Sequence, residues 1–103
     1  MLDTVEMLER RVAEEMHDAE EYAALALEYK KTDAELAQVF FTLSSEELRH
    51  ATMLHEQAWR LVAARGNASD AESAAARAVY DYTTRRNVAD MQDVSALHAR
   101  FRK

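Results

Sequence analysis

Steps of three and four residues along the first part of the chain keep Val5, Leu8, Val12, Ala19, Tyr22, Ala26 and Tyr29 on one face, the signature of an amphipathic helix. The reading is a helix from about Leu2 to Lys30, with Asp3 or Thr4 as N-cap and the basic pair Lys30 and Lys31 at the negative end of its dipole. The same period returns in Leu36, Phe40, Leu43, Leu54 and Leu61, which predicts a second helix capped by Thr32 or Asp33 and running to about Arg65. Gly66 and Asn67 stand where its C-terminus is expected. Ser69 and Glu72 have capping-box spacing for a third helix bearing Ala75, Val79 and Tyr82 on one face. Past Thr83 the signal weakens. The run Thr83-Thr84-Arg85-Arg86-Asn87 permits a break before Val94, Leu97, His98 and Phe101 restore a helical face.

Composition narrows the class. The chain of 103 residues has one glycine and no proline, and it is rich in Ala, Leu, Glu and Arg, so little material is left for strands. The fold expected is all-α: a long antiparallel two-helix hairpin over residues 1–65 and a C-terminal helical extension over 66–103, together one domain. A formal net charge of -6 argues against nucleic acid or an anionic membrane as partner and suits a protein that attracts cations. The absence of cysteine excludes disulfides, thiolate metal sites and iron-sulfur clusters. The opening MLDTVEMLERR has no basic stretch followed by an apolar run, and a soluble, cytoplasmic protein is expected.

The two apolar stripes are interrupted by ionisable groups at few points. In the first it is Glu15; in the second, Leu36, Phe40, Leu43, Glu47, His50, Leu54, Gln57 and Leu61, they are Glu47 and His50. An unpaired carboxylate in an apolar seam costs several kcal/mol, so it finds a partner, takes up a proton or binds a metal. Measured from Thr32 at the helical rise per residue, Glu15 lies about 25 Å down one helix, and Glu47 and His50 about 22 and 27 Å down the other. All three therefore fall at one level. Glu47 and His50, three apart, lie on one face a turn from each other and can reach one ion. Carboxylates with an imidazole suit iron or manganese, and zinc also fits. The third segment supplies one glutamate, Glu72, and no second Glu-x-x-His, so one chain offers half a ligand set. A twofold dimer doubles it to four glutamates and two histidines.

A Glu, a Tyr seven residues later and Glu-x-x-His on the next helix, here Glu15, Tyr22, Glu47 and His50 within EEMHDAEEY and SSEELRHA, resemble the pattern of the ferritin-like di-iron proteins. The likeness covers residues from about 5 to 62. In its half-length chain the sequence looks most like the encapsulated ferritins, in which two short chains build a site at their interface. The resemblance implies dimerisation into a ferritin-like four-helix bundle, with further homo-oligomerisation, and allows an encapsulin shell as partner and compartment. It implies two irons per interface site, Glu47 bridging them, Glu15 and His50 as terminal ligands, and Tyr22 as a hydrogen-bond donor to a ligand. The implied activity is a ferroxidase that oxidises Fe(II) to Fe(III) with oxygen and serves iron storage or detoxification.

Other readings stand beside these. Glu15, Glu47 and His50 can form a hydrogen-bonded network that sets register in a non-catalytic helical dimer, or hold a di-metal centre with peroxidase or manganese chemistry. Glu14 and His17, in an acidic cluster with Asp18, Glu20 and Glu21, fit an outer site through which ions enter, or a solvated helix face. Tyr22 suits packing as well as hydrogen bonding to a ligand. Tyr29, Phe40, Phe41, Met53 and Trp59 read as packing groups, His55 and Glu56 as flank or surface residues, and His98 as incidental.

Overall fold

The computed structural model describes residues 1–65 and 69–103. Among these the chain is all-helical, with α1 at Leu2–Tyr29, α2 at Ala34–Ala64 and α3 at Ala71–Arg102, and no strand. No helix among the described residues is long and apolar enough to cross a membrane. The expected stop at Gly66 and Asn67 lies outside the described residues.

Local chemistry sets the helix ends. α1 begins ahead of the expected caps Asp3 and Thr4, and its first turn is satisfied from another helix. Glu72 of α3 accepts from the Met1 amino group (2.9 Å) and from the Leu2 N–H (3.2 Å). At the other end, the N–H groups of Thr32 and Asp33 return to the Tyr29 carbonyl at 3.2 and 2.9 Å, closing a tight turn. Of the two candidates for the α2 cap, Asp33 serves, its carboxylate accepting from the Leu36 N–H at 3.1 Å.

Two expectations about α3 are corrected. Its N-cap is Asp70, whose carboxylate accepts from both the N–H and the hydroxyl of Ser73 at 2.8 Å, which leaves Glu72 to reach across to α1. Asp70→Ala is therefore expected to lower the melting temperature, and Ser69→Ala to leave it unchanged; thermal denaturation followed by circular dichroism checks both. The break allowed after Thr83 is absent, and the helix runs unbroken to Arg102. The Thr83 hydroxyl donates back to the Val79 carbonyl at 2.8 Å, a bond that a helix interior tolerates, and no Gly or Pro interrupts the run.

α1 packs most extensively on α2, next on α3, while α2 and α3 touch least. The pairs Tyr22–Phe40, Glu15–His50 and Glu9–His55 show α2 descending as α1 ascends, so the two are antiparallel. α3 runs parallel to α1: Ala76 sits with Val5, Asn87 with Glu9, and Val94 with Val12, Met16 and Ala19. The result is a rod of 56 × 17 × 15 Å.

The buried face of α1 is Val5, Leu8, Glu9, Val12, Met16, Ala19, Ala23 and Ala26. On α2 the buried residues are Ala37, Ser44, Ala51, Ala58 and Val62, the first four spaced by seven. These small side chains let helix axes approach closely. On α3 the buried residues are Ser73, Ala76, Asn87, Val94 and His98. Of the face expected on α3, Ala75 and Val79 are half-buried, Val79 packing against the core, while Tyr82 points outward at 69 % exposure.

His98, read from the sequence as incidental, holds the far end of α3 in place. The Ser44 hydroxyl, itself buried, donates to the Ala19 carbonyl (2.6 Å), so its oxygen receives the His98 Nε2–H at 2.7 Å. The ring lies against Phe41, which also stacks on Phe101. Burial, and then the Arg102 guanidinium, push the His98 pKa below its ordinary 6.5. With a folded pKa below the unfolded one, the unfolded chain binds more protons between the two values. The stabilisation is complete above pH 6.5 and is lost as pH falls through the folded pKa. Melting temperature measured from pH 8 down to about 5 is expected to fall less in His98→Gln than in the native chain; equal slopes would remove His98 from the acid response.

Candidate metal centre

Glu15, in the middle of α1, and Glu47 and His50, one turn apart on α2, meet where the sequence puts them. One ligand atom from each lies within 4.8 Å of the other two. His50 Nδ1 stands 3.8 Å from Glu15 Oε2 and 3.8 Å from Glu47 Oε1. Both distances exceed a hydrogen bond. Glu15 Oε2 is buried and has no hydrogen-bond partner. Three donors thus surround a common point without satisfying one another, the condition a cation would relieve. The donor set, two carboxylates and an imidazole, is chemically suited to iron or manganese, with zinc also compatible.

The site is open on one side. The side chains of Glu15, Glu47 and His50 are 28 %, 21 % and 44 % exposed, and a groove of about 280 Å³ is lined by Glu15, His50, Met53 and Leu54. The whole α2 stripe shares this exposure. Leu36, Phe40, Leu43, Glu47, His50, Leu54 and Leu61 are all half-buried, Gln57 is exposed, and none is in the core. The sequence reading placed the seam of α2 on this face. In the chain itself α2 turns Ala37, Ser44, Ala51 and Ala58 inward instead and leaves its larger apolar residues at the rim.

The remaining expected residues fall as follows. Tyr22 is half-buried and stacks on Phe40, with ring centroids 6.1 Å apart. Glu14 and His17 are exposed and engaged elsewhere, Glu14 with Arg11 at 3.4 Å and His17 with Glu21 at 3.2 Å. Met53 and Trp59, read as packing groups, are 56 % and 49 % exposed.

A second polar cluster escaped the sequence reading. Glu9 is 1 % exposed; its Oε1 accepts from His55 Nδ1 at 3.0 Å and its Oε2 from Asn87 Nδ2 at 2.8 Å. His55, expected on the flank, is the link from Glu9 to Tyr80, whose hydroxyl lies 3.2 Å from Nε2. A signal existed. Stepping Val5, Glu9, Val12, Met16, Ala19, Ala23 and Ala26 follows the buried face of α1 and meets one charge, Glu9. No family model matches the chain, and no curated protein or solved structure matches it significantly.

Proposed function

We propose that two copies of the chain pair through the open faces of α1 and α2 and bind iron between them, oxidising Fe(II) to Fe(III) with oxygen. The observation that carries this reading is the convergence of Glu15, Glu47 and His50 within 4.8 Å while Glu15 Oε2 stays buried and unbonded. A network that only sets helix register would close its hydrogen bonds. These groups stand 3.8 Å apart and close none.

Pairing is supported by the stripe around the site. Half-buried Phe40, Leu43 and Leu54 continue along the face that holds Glu47 and His50, flanked by exposed Val39 and Met53. An apolar strip of this kind marks an interaction surface. A twofold axis beside it would bring the two half-sets together, and two chains of two helices would form the four-helix bundle.

In this arrangement Glu47 would be the carboxylate shared between the ions, Glu15 and His50 would each hold one of them, and Tyr22 would serve as hydrogen-bond donor to one of these side chains. Two Fe(II) would each give one electron to one O2, which takes up two protons from water and leaves as hydrogen peroxide, and the two Fe(III) would pass on to storage or detoxification. The carboxylates would offer charge-compensating oxygens to the ion, and His50 an imidazole nitrogen. Leu54 and Met53 line the groove beside Glu15 and His50.

Metal content and mass of the purified chain, measured after anaerobic Fe(II) addition and removal of excess, test the pairing. One iron per chain in a species of twice the chain mass is expected. Iron bound by a monomer would remove the second chain from the site, and a dimer without iron would leave the register reading in its place.

A further inference from the structure

Among the described residues, two side-chain hydrogen bonds join α1 directly to α2, and they bracket the triad. On the side nearer the turn, the Ser44 hydroxyl donates to the Ala19 carbonyl at 2.6 Å; on the other side, His55 Nδ1–H donates to Glu9 Oε1 at 3.0 Å. At the helical rise per residue, Ala19 lies about 6 Å beyond Glu15 and Ser44 about 4.5 Å from Glu47, while Glu9 lies about 9 Å from Glu15 and His55 about 7.5 Å from His50. Each brace also receives a bond from α3. The His98 Nε2–H donates to the Ser44 oxygen at 2.7 Å, and the Asn87 amide donates to Glu9 Oε2 at 2.8 Å. Glu9, Ser44, Asn87 and His98 are all buried, so water does not compete for these bonds.

Neither brace is what its own helix would form unaided. Ser45 and Thr52, also on α2, bond back to the Phe41 and Leu48 carbonyls four residues earlier at 3.0 Å, as hydroxyls in a helix interior do. Ser44 does not. With its oxygen engaged by His98, it directs its proton to α1 instead. Glu9 has a carboxylate free to turn about its last bond, and Asn87 holds Oε2 so that Oε1 meets His55.

We propose that α3 is a splint for the metal centre, with His98 and Ser44 at one end and Asn87 and Glu9 at the other as positioning residues that fix the spacing of the two ligand-bearing helices. The site needs such a device. Glu15 and Glu47 repel each other, and Glu15 Oε2 has no hydrogen bond to hold it, so the α1–α2 spacing at this level is set from outside the triad. Ligands must be held to within about 0.5 Å of a productive geometry, and the braces on either side do this before any ion arrives. The consequence for affinity rests on the reading of the triad as a metal site; the spacing itself does not.

The test titrates the full chain with Co(II), whose visible absorption reports ligand geometry. Ser44→Ala, which keeps its helix because Ala is the better helix former, and His98→Leu are expected to bind Co(II) about tenfold or more weakly, with an altered absorption band. His98→Gln, which keeps a donor for Ser44, is expected to restore both. Asp70→Ala, destabilised at a helix cap that touches neither brace, is expected to bind as the native chain does. Native affinity in Ser44→Ala, or an equal loss in Asp70→Ala, would overturn the proposal. A second arm needs no metal: in the chelated chain a nuclear Overhauser contact between the His50 ring and the Glu15 side chain is expected, and expected to be lost in Ser44→Ala. A contact kept in that variant, or missing from the native chain, would overturn the splint. A native chain that shows the contact and its loss in Ser44→Ala but binds no Co(II) would instead remove the metal reading and leave the splint standing.

Discussion

Glu47→Ala is expected to reduce protein-dependent oxygen uptake with Fe(II) by about 100-fold or more, since loss of even an outer partner of a metal ligand costs 10–100-fold. Glu47 contributes most because the proposal gives it both ions, and no neighbouring carboxylate stands ready to replace it. Glu46, the adjacent residue, is exposed and is not one of the three side chains that converge, Glu15, Glu47 and His50. Glu46→Ala is therefore the matched control and should oxidise Fe(II) at the native rate. Stability should not follow activity. Glu47 is part of a set whose charges already crowd without hydrogen bonds, so its removal is expected to leave the melting temperature unchanged or raised. An oxygen electrode and a thermal melt on the same preparations check both halves, and equal uptake by the two variants would remove Glu47 from the reaction.

His55→Ala is expected to have the largest effect on folding, about 3 kcal/mol, because it leaves Glu9 Oε1 buried without its donor while Asn87 still holds Oε2. For a domain of this size a loss of 1 kcal/mol lowers the melting temperature by about 4–8 °C, so the variant should be largely unfolded at moderate temperature. The penalty belongs to the stranded Glu9, which is 1 % exposed, more than to the imidazole. Replacing Glu9, His55 and Asn87 together by leucine should accordingly recover most of the loss, as buried polar sets exchanged for apolar ones of similar volume are often neutral. Denaturant unfolding of the single and triple variants decides this. A triple variant as unstable as His55→Ala would mean that the network itself, and not the orphaned charge, holds α3 to α1 and α2.

The three helices were legible in the sequence because nothing competed with them. The 3.6-residue period is long in α1 and α2 and fades only in the second half of α3, and Asp33 had the position and chemistry of a cap. The α3 start was misplaced by one residue, since Ser69 and Asp70 are both good caps and only the reach of Glu72 to α1 separates them. The site triad was found from spacing, because two helices of known rise meeting at a short turn fix which residues are level.

What was hidden is which face of each helix is the core. Large residues such as Leu36, Phe40 and Leu43 draw the eye, yet α2 buries Ala37, Ser44, Ala51 and Ala58, whose small side chains carry little hydrophobic signal of their own. On α1 the stripe through Glu15 and the stripe through Glu9 share Val5, Val12, Ala19 and Ala26, and the pattern alone cannot rank them. His55 and His98 were missed for a related reason: each is satisfied by a partner far away in sequence, Glu9 at 46 residues and Ser44 at 54. A helical period says nothing about such pairs.

The central claim is that Glu15, Glu47 and His50 of two chains bind iron together, and anomalous diffraction at the iron edge from crystals soaked anaerobically in Fe(II) tests it most directly. Two iron peaks a few ångströms apart, on a twofold axis and each within coordination distance of these three side chains, are expected. Iron peaks confined to other carboxylates, or a triad that stays without iron density in a paired crystal, would contradict it.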